Sequence, residues 1–92
     1  MNITRIVITP YTGGGKLLAF VNVSFDDMIQ VDGIKVIGSP ESYNFFWPNK
    51  QRPDGTWQNI VHPATAQARV ILDGMLRERY VKFLNNHNNE VK

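Results

Sequence analysis

Apolar and polar positions alternate through the first two thirds of the chain, and the spacing then lengthens to that of a helix. Residues 3–9 (ITRIVIT) and 16–25 (KLLAFVNVSF) are rich in β-branched and apolar residues, and Leu17, Ala19, Val21, Val23 and Phe25 fall on one face at period two. The three glycines between Tyr11 and Lys16 can take positive φ, so this stretch predicts a hairpin connection. Asp26 and Asp27 interrupt the second run. A third follows at 28–37 (MIQVDGIKVI), where Gly33 marks a bulge or a close backbone approach, and Gly38-Ser39-Pro40 ends it. A fourth run, Tyr43 to Trp47, stops at Pro48. Pro53-Asp54-Gly55 is a turn signal, and a short fifth strand from Thr56 to Val61 runs into His62-Pro63.

From about Thr65 to Leu84, Ala68, Leu72, Met75, Leu76, Phe83 and Leu84 form an apolar stripe at helical spacing, with Ile71 and Tyr80 at its borders. Asp73 with Arg77 and Glu78 with Lys82 sit at i,i+4 on the exposed side. Gly74, costly inside a helix, points to close packing there. The expected fold class is α+β: an antiparallel sheet of about five strands with a C-terminal helix packed on one face. One domain covers residues 1–84, and the asparagine-rich stretch 85–92 is read as a frayed tail.

Length and composition narrow the function. A chain of 92 residues makes one domain with a small core, for which association with a second copy is a common remedy. With no cysteine and two histidines, His62 and His87, neither a disulfide nor a metal site is expected, and no cofactor is implied. No apolar run suits a signal peptide or a membrane helix, so a cytoplasmic protein is expected. The formal charge is only +2, but its distribution is uneven. Asp26, Asp27, Asp32 and Glu41 lie in the first half, whereas Arg69, Arg77, Arg79 and Lys82 crowd the last third.

Each candidate motif has a plainer competitor. Gly13-Gly14-Gly15-Lys16 lacks the spacing and the following helix of a phosphate loop, so the hairpin reading prevails. His62 has no nucleophile beside it and reads as a structural histidine at the strand–helix corner. Tyr43, Phe45, Phe46, Trp47 and Trp57 divide between two faces. Most are read as core, and one or two exposed rings remain open to stacking on unpaired bases. Lys50, Gln51 and Arg52 occupy a polar loop suited to phosphate contact or simply to solvation. The helix cations could form a basic edge or a solvated face.

Within residues 31–63 (VDGIKVIGSPESYNFFWPNKQRPDGTWQNIVHP) the chain resembles the stage V sporulation protein G, or septation regulator, family. That family shows a Val-x-x-Ile-Arg-Val-Ile strand, then Pro-Ser-Lys-Arg-x-Pro-Asp-Gly, an aromatic, and Asp-Ile-x-His-Pro before a helix. Ile34 to Ile37 match the first element with lysine for arginine. Pro48, Asn49, Lys50, Gln51 and Pro53 to Gly55 match the second with two replacements. Trp57, Asn59, Ile60, His62 and Pro63 match the third with asparagine for aspartate. Gln51 stands where the family has arginine, and Arg52 supplies a charge one residue later.

The resemblance implies a small homodimeric regulator that binds DNA and RNA, linked to septation, sporulation and virulence control. Carried across by position, the basic residues are Lys50, Arg69 and Lys82. With the neighbouring polar and cationic side chains, the candidate phosphate-contacting set is Lys50, Gln51, Arg52, Arg69, Arg77, Arg79 and Lys82. Neither a membrane nor a small-molecule substrate is expected. The competing reading is a structural or protein-interaction module of the division machinery. A small enzyme lacks a nucleophile–base set.

Overall fold

In a computed structural model the chain is α+β, with six strands and one helix among the described residues. The structure describes residues 1–90, with side chains placed for residues 1–86; Val91, Lys92 and the His87 side chain lie outside the described residues. The chain divides into two compact units, the first Met1–His62 and the second beginning at Pro63.

The first unit holds an antiparallel sheet in the order β1-β2-β3-β4: β1 Ile3–Pro10, β2 Leu17–Phe25, β3 Ile29–Ser39 and β4 Ser42–Phe46. Its connections follow local chemistry. Gly14 and Gly15 take φ of 87° and 78° in the first hairpin. The second hairpin turns on Asp26 and Asp27, both at φ 54°, and the Met28 N–H donates to the Phe25 carbonyl at 2.9 Å. This two-residue turn, left-handed at both centres, matches the twist of its strands. The start of β1 holds it in place: the Asn2 N–H donates to Asp26 Oδ1 at 2.8 Å, and the Asp27 N–H to Thr4 Oγ1 at 3.0 Å.

Alternation along the strands sorts the side chains. Ala19, Val21, Val23 and Phe25 of β2, Ile34 and Val36 of β3, and Tyr43 and Phe45 of β4 are buried, while Lys35, Asn44 and Phe46 between them are exposed. The expected bulge is found at Gly33. Val21 pairs with Ile34 and Val23 with Val31, so β3 carries one extra residue there. Gly33 takes φ 84°, and its N–H donates to Asn22 Oδ1 at 2.9 Å. The bulge keeps Val31 and Ile34 on the same face despite their odd spacing.

The fifth strand does not join this sheet. Trp47 is buried, stacked on Phe25 with ring centroids 6.5 Å apart, and Pro48, without an N–H, ends the pairing of β4. Beyond it, β5 Asn49–Gln51 and β6 Trp57–Asn59 pair only with each other. Lys50 and Gln51, expected in a loop, therefore stand on a strand.

In the second unit, α1 spans Ala66–Glu90 and runs past the end expected at Leu84. Thr65 caps it, its Oγ1 accepting the Ala68 N–H at 3.0 Å. Leu76 and Tyr80, one turn apart, are its buried side chains among the described residues. Tyr80, expected at the border of the stripe, lies at its centre. Ile71, the other border position, is exposed.

Two glycines behave oppositely. At Gly38, φ is 143° and a Cβ would fall 2.4 Å from the Ser42 carbonyl oxygen, whereas at Gly74 a Cβ would meet nothing within 4 Å. The close packing expected at Gly74 is not found. In urea denaturation, Gly38→Ala is expected to cost about 1–3 kcal/mol through strain and backbone collision. Gly74→Ala is expected to add up to about 1 kcal/mol. Equal effects of one sign would contradict this assignment.

Candidate nucleic-acid interface

The β5–β6 hairpin carries the Lys50–Arg52 segment. Its register pairs Asn49 with Asn59, Lys50 with Gln58 and Gln51 with Trp57. The Arg52 N–H donates to the Thr56 carbonyl at 2.7 Å, and the Gly55 N–H to the Arg52 carbonyl at 2.9 Å. The ladder thus extends one step beyond β5 into a turn that Pro53 and Gly55 make possible, with Gly55 at φ 90°. Asp54 locks this turn: its Oδ1 accepts the Thr56 N–H at 3.0 Å and the Thr56 hydroxyl at 2.6 Å. These two bonds hold the Asp54 carboxyl below its ordinary pKa.

Partners in an antiparallel ladder share a face, and successive residues alternate. Lys50 and Arg52 therefore project from one side of the hairpin. Gln51 projects from the other, with Trp57 and Asn49. All are exposed, and the nearest carboxylate along the chain, Asp54, is engaged by Thr56. Two cations two residues apart on an exposed ribbon suit a phosphate backbone. Gln51 does not belong to that pair.

The helix distributes its cations differently. At about 100° per residue, Arg77 and Arg79 project about 160° apart, on opposite sides of the Leu76–Tyr80 stripe, and Lys82 lies beyond Arg79. They form no single basic edge. Arg69 pairs with Asp73 at 3.6 Å and Lys82 with Glu78 at 3.8 Å. An exposed i,i+4 pair such as Lys82–Glu78 contributes only about 0.3–0.5 kcal/mol, so a phosphate could displace Glu78.

The aromatic cluster resolves cleanly. Tyr43, Phe45 and Trp47 are buried, whereas Phe46 and Trp57 are 46% and 63% exposed. Lys35, Ile37, Phe46, Pro48, Asn49 and Trp57 line an open groove of about 380 Å³. Lys35 is a cation that sequence reasoning passed over. Its position opposite Phe46 depends on the register of β3 and β4, which residue types alone do not reveal. His62 is exposed at the junction between β6 and α1. Among the described residues no three His, Cys, Asp or Glu side chains gather as a metal site, and no helix is long and apolar enough to cross a membrane.

The sequence model of the SpoVG family matches residues 1–82 of the chain. This chain belongs to the SpoVG family. Among similar proteins, the putative septation protein SpoVG of Borrelia hermsii is 36% identical over 85 residues, covering 89% of this chain and 88% of its own. That of Clostridium perfringens strain SM101 is 33% identical over 92% of this chain and 94% of its own. That of Caldanaerobacter subterraneus is 30% identical over 98% and 99%. The SpoVG match therefore takes in both the β5–β6 hairpin and most of α1.

Because folding lowers the Asp54 pKa, its bonds stabilise the turn fully above the unfolded-state value and are lost as pH falls through the folded-state value. In an NMR titration, the Asp54 carboxyl and the Thr56 amide should change together, below the range of an unstructured aspartate. A midpoint at or above that range would contradict the locked turn.

Proposed function

We propose that this SpoVG-family chain is a non-enzymatic regulator that binds DNA and RNA through phosphate contacts and acts as a cytoplasmic homodimer. The single observation that carries this reading is the pair Lys50 and Arg52, exposed on one side of a hairpin whose carboxylate is engaged within its own turn. Similar proteins bear the name septation protein, which supports a role in control of septation. The helix cations do not act as one edge: Arg79 and Lys82 lie about 60° apart on one side of the Leu76–Tyr80 stripe, Arg77 lies on the other, and Arg69 is about 80° from both Arg77 and Arg79. Few cations per protomer means weak binding by one copy, and pairing two copies multiplies the contacts on one nucleic acid.

Phosphate contacts release condensed counterions, so affinity falls as salt rises, by about 0.9 in log–log slope per contact on duplex DNA. Replacing both Lys50 and Arg52 with alanine should therefore flatten that slope by about 1.8 per protomer and weaken binding alike for unrelated sequences. Binding across a salt series in gel shift or anisotropy measures both. An unchanged slope in the double variant would remove the hairpin from the interface. Absence of salt-dependent binding by the wild type would favour a protein-interaction module instead.

A further inference from the structure

On the outward face of the four-stranded sheet a cation stands between aromatic rings. Lys35 on β3 pairs in register with Phe46 on β4 and with Phe20 on β2. The three side chains thus form a row across the pleat about 10 Å wide, given strand spacings of about 4.8 Å. Tyr11 lengthens the row at one end, edge-on to Phe20 with ring centroids 6.0 Å apart. At the other end Trp57 of β6 closes the groove that Lys35 and Phe46 line. Trp57 and Phe46 are more exposed than core rings, and Phe46 stands on the side opposite Val36 and Phe45. Large rings grouped in water beside a cation mark a binding surface.

We infer that this groove takes an unpaired base of a nucleic-acid strand, stacked on Trp57 and Phe46, with Lys35 at the adjoining phosphate. This rests on the nucleic-acid reading for its ligand class. It uses different residues, however, since Lys50 and Arg52 project from the side of the hairpin away from Trp57. Three features select the occupant. Every base offers a π-face for stacking, and only an unpaired strand exposes it, because a duplex presents edges in its grooves. The Lys35 stem can lie along apolar rings while its ammonium stays in water, where a phosphate can reach it. A protein partner fits less well, since lysine is depleted from the centres of protein interfaces. The cavity of about 380 Å³ falls within the range of small-ligand sites.

The test uses the full chain and labelled short single-stranded DNA, single-stranded RNA and duplex DNA in fluorescence anisotropy, with circular dichroism as a check on folding. Trp57→Ala and Phe46→Ala should each weaken single-strand binding by about 5- to 150-fold while leaving duplex binding nearly unchanged. Trp57→Phe should restore most of the loss, since a smaller ring still stacks. Whichever single strand binds more tightly identifies the source of the base, and either supports the groove. Wild-type affinity of both alanine variants for single strands would overturn it, as would an equal loss on duplex. If the Lys50→Ala, Arg52→Ala variant is weakened while the groove variants are not, the groove fails and the hairpin reading stands. If the wild type binds none of the three probes, the nucleic-acid reading fails, and the groove with it.

Discussion

A residue in a sheet strand can face only one of two ways, and the pairing register decides which. A slip of one residue would exchange the faces of an entire strand. In β3 that choice places Ile34 and Val36 in the core, wholly inaccessible, and Lys35 between them on the outside. In β4 it buries Tyr43 and Phe45 and exposes Phe46. Register is in turn held by local devices: the Asp26–Asp27 turn tied to Asn2 and Thr4, the Gly33 bulge tied to Asn22, and the tight approach of Gly38 to Ser42 and Tyr43. Which side chains the outward face presents therefore follows from how the core is kept in register.

The same constraint governs the hairpin on a smaller scale. With three residues to a strand, β5 and β6 bury little and owe their shape to the turn. Proline presets φ, glycine supplies the left-handed position, and Asp54 secures Thr56. That economy leaves both sides of the ribbon in solvent. One side presents Lys50 and Arg52, while the other presents Trp57 toward the groove. Charge and ring are separated by the pleat, so the two sides are suited to different parts of a nucleotide.

Much of this was legible in the residues. The β-branched and apolar runs marked β1 to β4, Gly33 signalled its bulge, Pro53-Asp54-Gly55 its turn, and Thr65 the start of the helix. Three points were not. Pro48 in the sequence marks a stop within one sheet, but it also detaches the next pair of strands, because a missing donor ends the ladder and the Pro53–Gly55 turn folds β6 back onto β5 alone. By residue type the basic helix residues could form one edge or a solvated face, and the helical angle, which separates Arg77 from Arg79, excludes the single edge. The aromatic cluster could be divided by alternation but not assigned, since which ring faces out depends on the partner strand. Lys35 was missed for the same reason: an isolated lysine in a strand carries no signal until its cross-strand neighbours are known.

The two tryptophans provide the most direct test, since both line the groove but Trp47 is buried and Trp57 is exposed. Each gives its own indole N–H signal in a nitrogen-resolved NMR spectrum, assignable with Trp57→Phe. On titration with a single-stranded oligonucleotide, the Trp57 signal should move to saturation in step with binding, and further than that of the buried Trp47. Saturable binding that leaves the Trp57 signal in place would contradict an outward face that receives nucleic acid.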